Sequence, residues 1–274
     1  MEPPPHPETI HTLLALTLVS VLSLSGSLTV VLGKRLQALL RYLVGAAAGA
    51  LLGIAFGDLI PEAVEATGTG PRLGLLLTAG FLGSFLLERV LSSLFQSDDD
   101  VSAENSLCAE LGDFHHAHEH SAASGRPLVA NILFGGAIHS FIDGIAIATG
   151  FTVSLKLGVA ATIAVLLHEV PHHVANVAVL IFGGLSKLKA VLWNLLAGSG
   201  CLIGGALVLL LGRHVTNLPG ILLPVTATNF LYIAGAILVP ELQTERNGWR
   251  SVKQVFCLAA GVALMFGLSG LLKD

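Results

Sequence analysis

Residues 127–183 read PLVANILFGGAIHSFIDGIAIATGFTVSLKLGVAATIAVLLHEVPHHVANVAVLIFG. This stretch holds two apolar runs, 127–151 and 157–183, joined by a short polar connection. Each is longer than the about 20 residues that an α-helix needs to cross a bilayer. Ionisable residues sit at the centre of each run rather than at its ends. The first carries His139-Ser140-Phe141-Ile142-Asp143-Gly144, and the second carries His168-Glu169-Val170-Pro171-His172-His173. Ionisable groups are costly in hydrocarbon, so at this depth they mark a functional site. The stretch therefore sets both the fold class, an all-α integral membrane protein, and the place to look for chemistry.

Six further runs have the same character: 11–33, 41–62, 72–95, 187–212, 218–242 and 251–272. Eight spans are expected, all too long for the alternating strands of a membrane barrel. Of the 274 residues 53% are hydrophobic and 12% charged, and the mean hydropathy is +0.80. A soluble domain carries about 25% charged residues, so a soluble enzyme and a disordered chain are both excluded. A net charge of −4 without a basic block argues against nucleic-acid binding. The 31 glycines suit helices that pack closely in lipid. The three cysteines, Cys108, Cys201 and Cys257, show no paired spacing. Residues 1–10 lack Lys and Arg, so the first run reads as a span and not as a cleaved signal.

Orientation follows the distribution of positive charge. With the N-terminus outside, the inner connections hold ten of the 14 Lys and Arg residues and the outer ones hold four. Both termini are then outside the cytosol, and the chain forms a single transmembrane domain, 1–274. The acidic segment 96–126 becomes a cytosolic loop. Its His115, His116, His118 and His120 are candidates for weak metal binding.

His139 and Asp143 are four residues apart, as are His168 and His172, so each pair shares a helix face. Glu169 and His173 form a second such pair, rotated by about 100°. Pro171 removes a helical hydrogen bond, and a freed carbonyl at the midplane is a common element of transport sites. Imidazole and carboxylate together suit a borderline divalent cation: zinc first, with Fe2+, Mn2+ and Cd2+ as alternatives. His139, Asp143, His168 and His172 are expected to supply four ligands. Glu169 would contribute to a second site, bridged through Asp143 or His172. The plain alternative is a hydrogen-bonded cluster that ties two helices together; it would prevail for a lone histidine but not for two blocks at matched depth. Asp58 and Glu62 share a face at the outer end of the second span and suit a cation-attracting mouth. Ile54–Glu62 also matches Ile233–Glu241, which runs the other way across the membrane, as inverted repeats of transporters do.

The two blocks and the string Leu59-Ile60-Pro61-Glu62-Ala63 resemble the signatures of the ZIP (zinc/iron-regulated transporter-like) family, over about residues 12–270. The resemblance implies eight helices in a 3+2+3 arrangement, a binuclear centre between spans four and five, and import of divalent metal into the cytosol. It points to His139, Asp143, His168, Glu169 and His172. Ser140 stands where members often have Asn, a ligand of the second metal, and His173 where the nearest subgroup has another residue. Asp58 stands where many have His, and Ile237 where many have Asp. Zinc would be cargo and not a cofactor, the lipid bilayer the surroundings, a homodimer the assembly left open, and the plasma membrane the default location, ahead of an organelle membrane. Two other readings compete. His168-Glu169-Val170-Pro171-His172 fits the zinc-peptidase pattern His-Glu-x-x-His, which suggests an intramembrane metalloprotease. The altered second site suits a metal sensor that does not conduct.

Overall fold

The computed structural model describes residues 7–32, 34–95, 125–182, 184–212, 214–215, 217–243, 245 and 247–271. All regular structure among them is helical. In chain order the rods are α1 (Pro7–Leu32), α2 (Lys34–Ile54, a π-helical turn at Ala55–Leu59, then Ile60–Thr67), α3 (Pro71–Phe95), α4 (Gly125–Val153) and α5 (Leu155–Phe182). They continue with α6 (Lys187–Gly198 and Gly200–Leu211), α7 (Leu218–Tyr232, a π-helical turn at Ile233–Leu238, then Val239–Gln243) and α8 (Gly248–Leu271). Seven of them, α2 to α8, are long and apolar enough to cross a membrane; the apolar stretch described in α1 is Thr9–Leu22. Segment 96–124, with the four loop histidines, lies outside the described residues.

The rods follow the apolar runs, with local departures that have physical causes. α2 continues past residue 62 to Thr67 and stops at Gly68, whose φ of 75° no helix can propagate and whose N–H bonds to the Val64 carbonyl at 2.7 Å. Both π turns precede a proline, Pro61 or Pro240. Proline cannot donate to the carbonyl four residues back, and its ring crowds that carbonyl. The wider turn relieves this: the N–H of Ile60 bonds to Ala55 and that of Val239 to Ala234, five residues back in each case. The two strings matched in sequence thus share one backbone irregularity. α5, by contrast, runs through Pro171 as a continuous helix. α6 breaks at Ser199, between two glycines, where the Ser hydroxyl donates to the Leu196 carbonyl.

The packing sorts the helices into two groups. α1, α4, α5 and α6 all contact one another; α8 and α7 pack on α2, and α7 packs on α3. In lipid, apolar surface gives little driving force between helices, so close approach and hydrogen bonds must hold them together. Each group has such a seam. A Cβ at Gly49 of α2 would lie 1.9 Å from the Leu258 carbonyl oxygen of α8. One at Gly204 of α6 would lie 1.9 Å from the Phe141 carbonyl oxygen of α4. Only glycine permits backbones this close.

Hydrogen bonds follow the same division. In the second group Ser84 of α3 donates to Asn229 of α7 at 3.1 Å, the Tyr232 hydroxyl of α7 donates to Glu88 of α3, and Ser269 of α8 donates to Asp58 of α2. The groups meet chiefly where α2 packs on α5. That contact belongs to an apolar core that includes Leu51, Ile54, Ala161, Ala164 and Phe230. Outward faces carry exposed Phe85 and Leu86 on α3 and Val255 and Phe256 on α8, as lipid-facing helices do; Trp193 and Trp249 are exposed as well.

Candidate metal centre

His139 lies at the centre of the 29-residue α4 and His168 at the centre of the 28-residue α5. These helices pack directly on each other, so the two polar blocks meet at one depth.

Two clusters result. The first is His139, Asp143 and His168. His168 Nε2 is 3.2 Å from Asp143 Oδ2 and 3.3 Å from His139 Nε2, and His139 Nε2 is 3.5 Å from the same Asp143 oxygen. His168 Nδ1 lies 3.1 Å from the Ala164 carbonyl, one turn earlier on α5. A carbonyl can only accept, so Nδ1 carries the hydrogen and Nε2 presents its lone pair to the cluster. Asp143 is fully buried, and its Oδ1 has no hydrogen-bond partner. A lone pair facing a buried carboxylate calls for a proton or a cation between them. A tetrahedral ion at about 2.1 Å from each ligand sets its ligands about 3.4 Å apart, which is the size of this triangle.

The second cluster is Glu169, His172 and His173. Glu169 is buried at 1% exposure. Its Oε1 accepts from Ser140 Oγ at 3.0 Å. Its Oε2 lies 2.7 Å from His173 Nε2 and 3.8 Å from His172 Nδ1, off the line of a good hydrogen bond in both cases. Asn194 of α6 donates to His173 Nδ1 at 2.8 Å, so the hydrogen of that ring sits on Nε2, the nitrogen nearer Glu169. The His172 ring stacks on His139 with centroids 4.3 Å apart, so it borders both clusters. His139 and His172 are the partly exposed members, whereas Asp143, His168, Glu169 and His173 are buried. Sequence spacing placed His172 beside His168; in the structure it groups with Glu169 and His173.

Asp58 and Glu62 occupy a different place. Asp58 lies in the π turn of α2, 5% exposed, with Oδ1 held by Ser269 Oγ at 2.7 Å and facing Lys156 Nζ at 3.5 Å. Glu62 is half-buried one turn further on. From sequence, Asn194 reads as a residue that lines a path or bonds between helices; the structure gives it the interhelical bond, with His173 as a partner that nothing local names. Ile237 is exposed in the π turn of α7.

The helices and this intramembrane cluster of His and carboxylate groups define a multi-pass membrane protein that handles metal cations. The family profile described as "ZIP Zinc transporter" matches residues 8–269. Zinc transporter ZIP13 of Mus musculus is 32% identical over 252 residues, covering 84% of this chain and 70% of the relative. The zinc transporter ZIP13 homolog of Drosophila melanogaster is 32% identical over 273 residues, covering 83% of this chain and 76% of the relative. Zinc transporter SLC39A7 of Rattus norvegicus is 41% identical over 134 residues, covering 46% of this chain and 29% of the relative. The chain belongs to the ZIP family. It is a divalent metal transporter and not an enzyme. The peptidase reading also lacks its geometry: His168 and His172 fall in separate clusters, and Glu169 is tied to Ser140 and His173.

Proposed function

We propose that the protein imports zinc into the cytosol through the site between α4 and α5. The observation that carries this reading is the triangle of His139 Nε2, Asp143 Oδ2 and His168 Nε2, with sides of 3.2–3.5 Å. It fits one dehydrated ion with imidazole and carboxylate ligands. His172 stacks on His139 at the partly exposed edge of this triangle, and with Glu169, His173 and Ser140 it forms a second position beside it. The relatives described as zinc transporters favour zinc over Fe2+, Mn2+ and Cd2+ as cargo.

All eight helices cross the bilayer in this reading, with both termini outside the cytosol, as the distribution of Lys and Arg supports. The plasma membrane is the proposed location. Cation movement then follows from displacement of one helix group against the other, which exposes the central site to each side in turn. The test is uptake of labelled zinc by proteoliposomes. Wild type should accumulate zinc, whereas His168→Ala and Asp143→Asn, inserted in equal amount, should not. Equal uptake by wild type and His168→Ala would overturn the assignment.

A further inference from the structure

Lys156 is the first-turn lysine of α5, and its ammonium faces the carboxylate of Asp58 on α2 at 3.5 Å. This ion pair joins the two helix groups, whereas the interhelical hydrogen bonds described above each lie within one group. Asp58 is 5% exposed, and its Oδ2 has no hydrogen-bond partner. Ser269 on α8 donates to the same Oδ1 that faces Lys156. A buried carboxylate needs a counter-charge, and here the chain itself supplies one.

We propose that Lys156 is a tethered competitor for the metal. Its ammonium occupies the Asp58 carboxylate between transport events, and an arriving divalent cation must displace it. The divalent ion carries twice the charge and brings its own water ligands, so it can take the carboxylate and use the free Oδ2 as well. Glu62 stands one turn beyond Asp58 on the same face of α2 and offers the displaced ammonium a second acid. Displacement also breaks the ion pair between the groups, so arrival of cargo and release of the groups become one event. Lys156 is therefore a positioning residue that sets affinity at the mouth, whereas the central ligands hold the ion at midplane.

This inference rests on the transport reading for its purpose but not for its test. Membranes containing the full chain are treated with an amine-acylating reagent at fixed pH, with and without zinc, and acylation of Lys156 is read by mass spectrometry. Zinc should accelerate acylation of wild type. Asp58→Asn should acylate at the faster rate without zinc and show no further response. An unchanged or slower rate with zinc, or slow acylation of Asp58→Asn, overturns the proposal.

Flux adds a second readout. Lys156→Gln should lower the KM for zinc about three- to tenfold, the scale of one partly buried ion pair. It should do so only where Asp58 is present, and Lys156→Arg should stay nearer wild type than Lys156→Gln. An equal fall in KM in the Asp58→Asn background also overturns the proposal. Absence of uptake by wild type would defeat the transport reading, while the acylation experiment would still decide this one.

Discussion

His168 shows how much one backbone atom decides. The Ala164 carbonyl takes the Nδ1 hydrogen, so the ligand atom of His168 is selected by the helix that carries it. Metal binding must then compete with protons at Nε2 and at the other imidazoles. Zinc affinity should therefore fall as the pH is lowered; equilibrium zinc titration in nanodiscs would measure it. Ser140 stabilises the neighbouring cluster by donating to Glu169. Ser140→Ala leaves a buried carboxylate oxygen unpartnered and should cost about 1–3 kcal/mol, read as lower stability in detergent. His139, Asp143, His168 and Glu169 were legible in the sequence because helical spacing and depth are both counted along one chain. Asn194 was not, because its contact with His173 depends on how α6 crosses α5, and no local pattern encodes that crossing.

At the scale of elements, the apolar runs were legible because bilayer thickness sets their length. The irregularities were only half legible. Pro61 and Pro240 are visible, and so is the likeness of the strings around them. That both produce a π turn, whereas Pro171 leaves α5 continuous, is not written in the prolines themselves. Gly198 and Gly200 flag the break at Ser199 only in hindsight, since glycine is frequent throughout this chain. The glycines divide into those that allow helix contact and those that face open space. Gly204→Ala should lower the unfolding temperature through an overpacking cost of about 1–3 kcal/mol, because its Cβ would strike the Phe141 carbonyl. Gly267→Ala on α8, where a Cβ meets nothing within 4 Å, should leave it unchanged or raise it slightly. Thermal unfolding of both variants in the same detergent would check the contrast, and equal effects would contradict the seam.

For the whole molecule, the sorting of helices into two groups was not legible, because neighbours in sequence are divided between them. α3 and α4 are consecutive yet belong to different groups. Cargo binding within α4 and α5 should stabilise the fold by mass action, by about 2.7 kcal/mol at a zinc concentration 100 times the Kd. The thermal shift should disappear in His168→Ala. The sorting also has a consequence for how the chain is made. α2 emerges early, yet the glycine face it presents is matched by α8, which emerges last; Asp58 and Ser269 are 211 residues apart. Through most of synthesis that face has only lipid or the wrong helix to meet, and chains build from the N-terminus. Loss of α8 should therefore trigger quality control and not merely loosen one edge of the bundle. In a pulse-chase experiment, a chain lacking 248–271 should be degraded much faster than a full-length chain that carries His168→Ala.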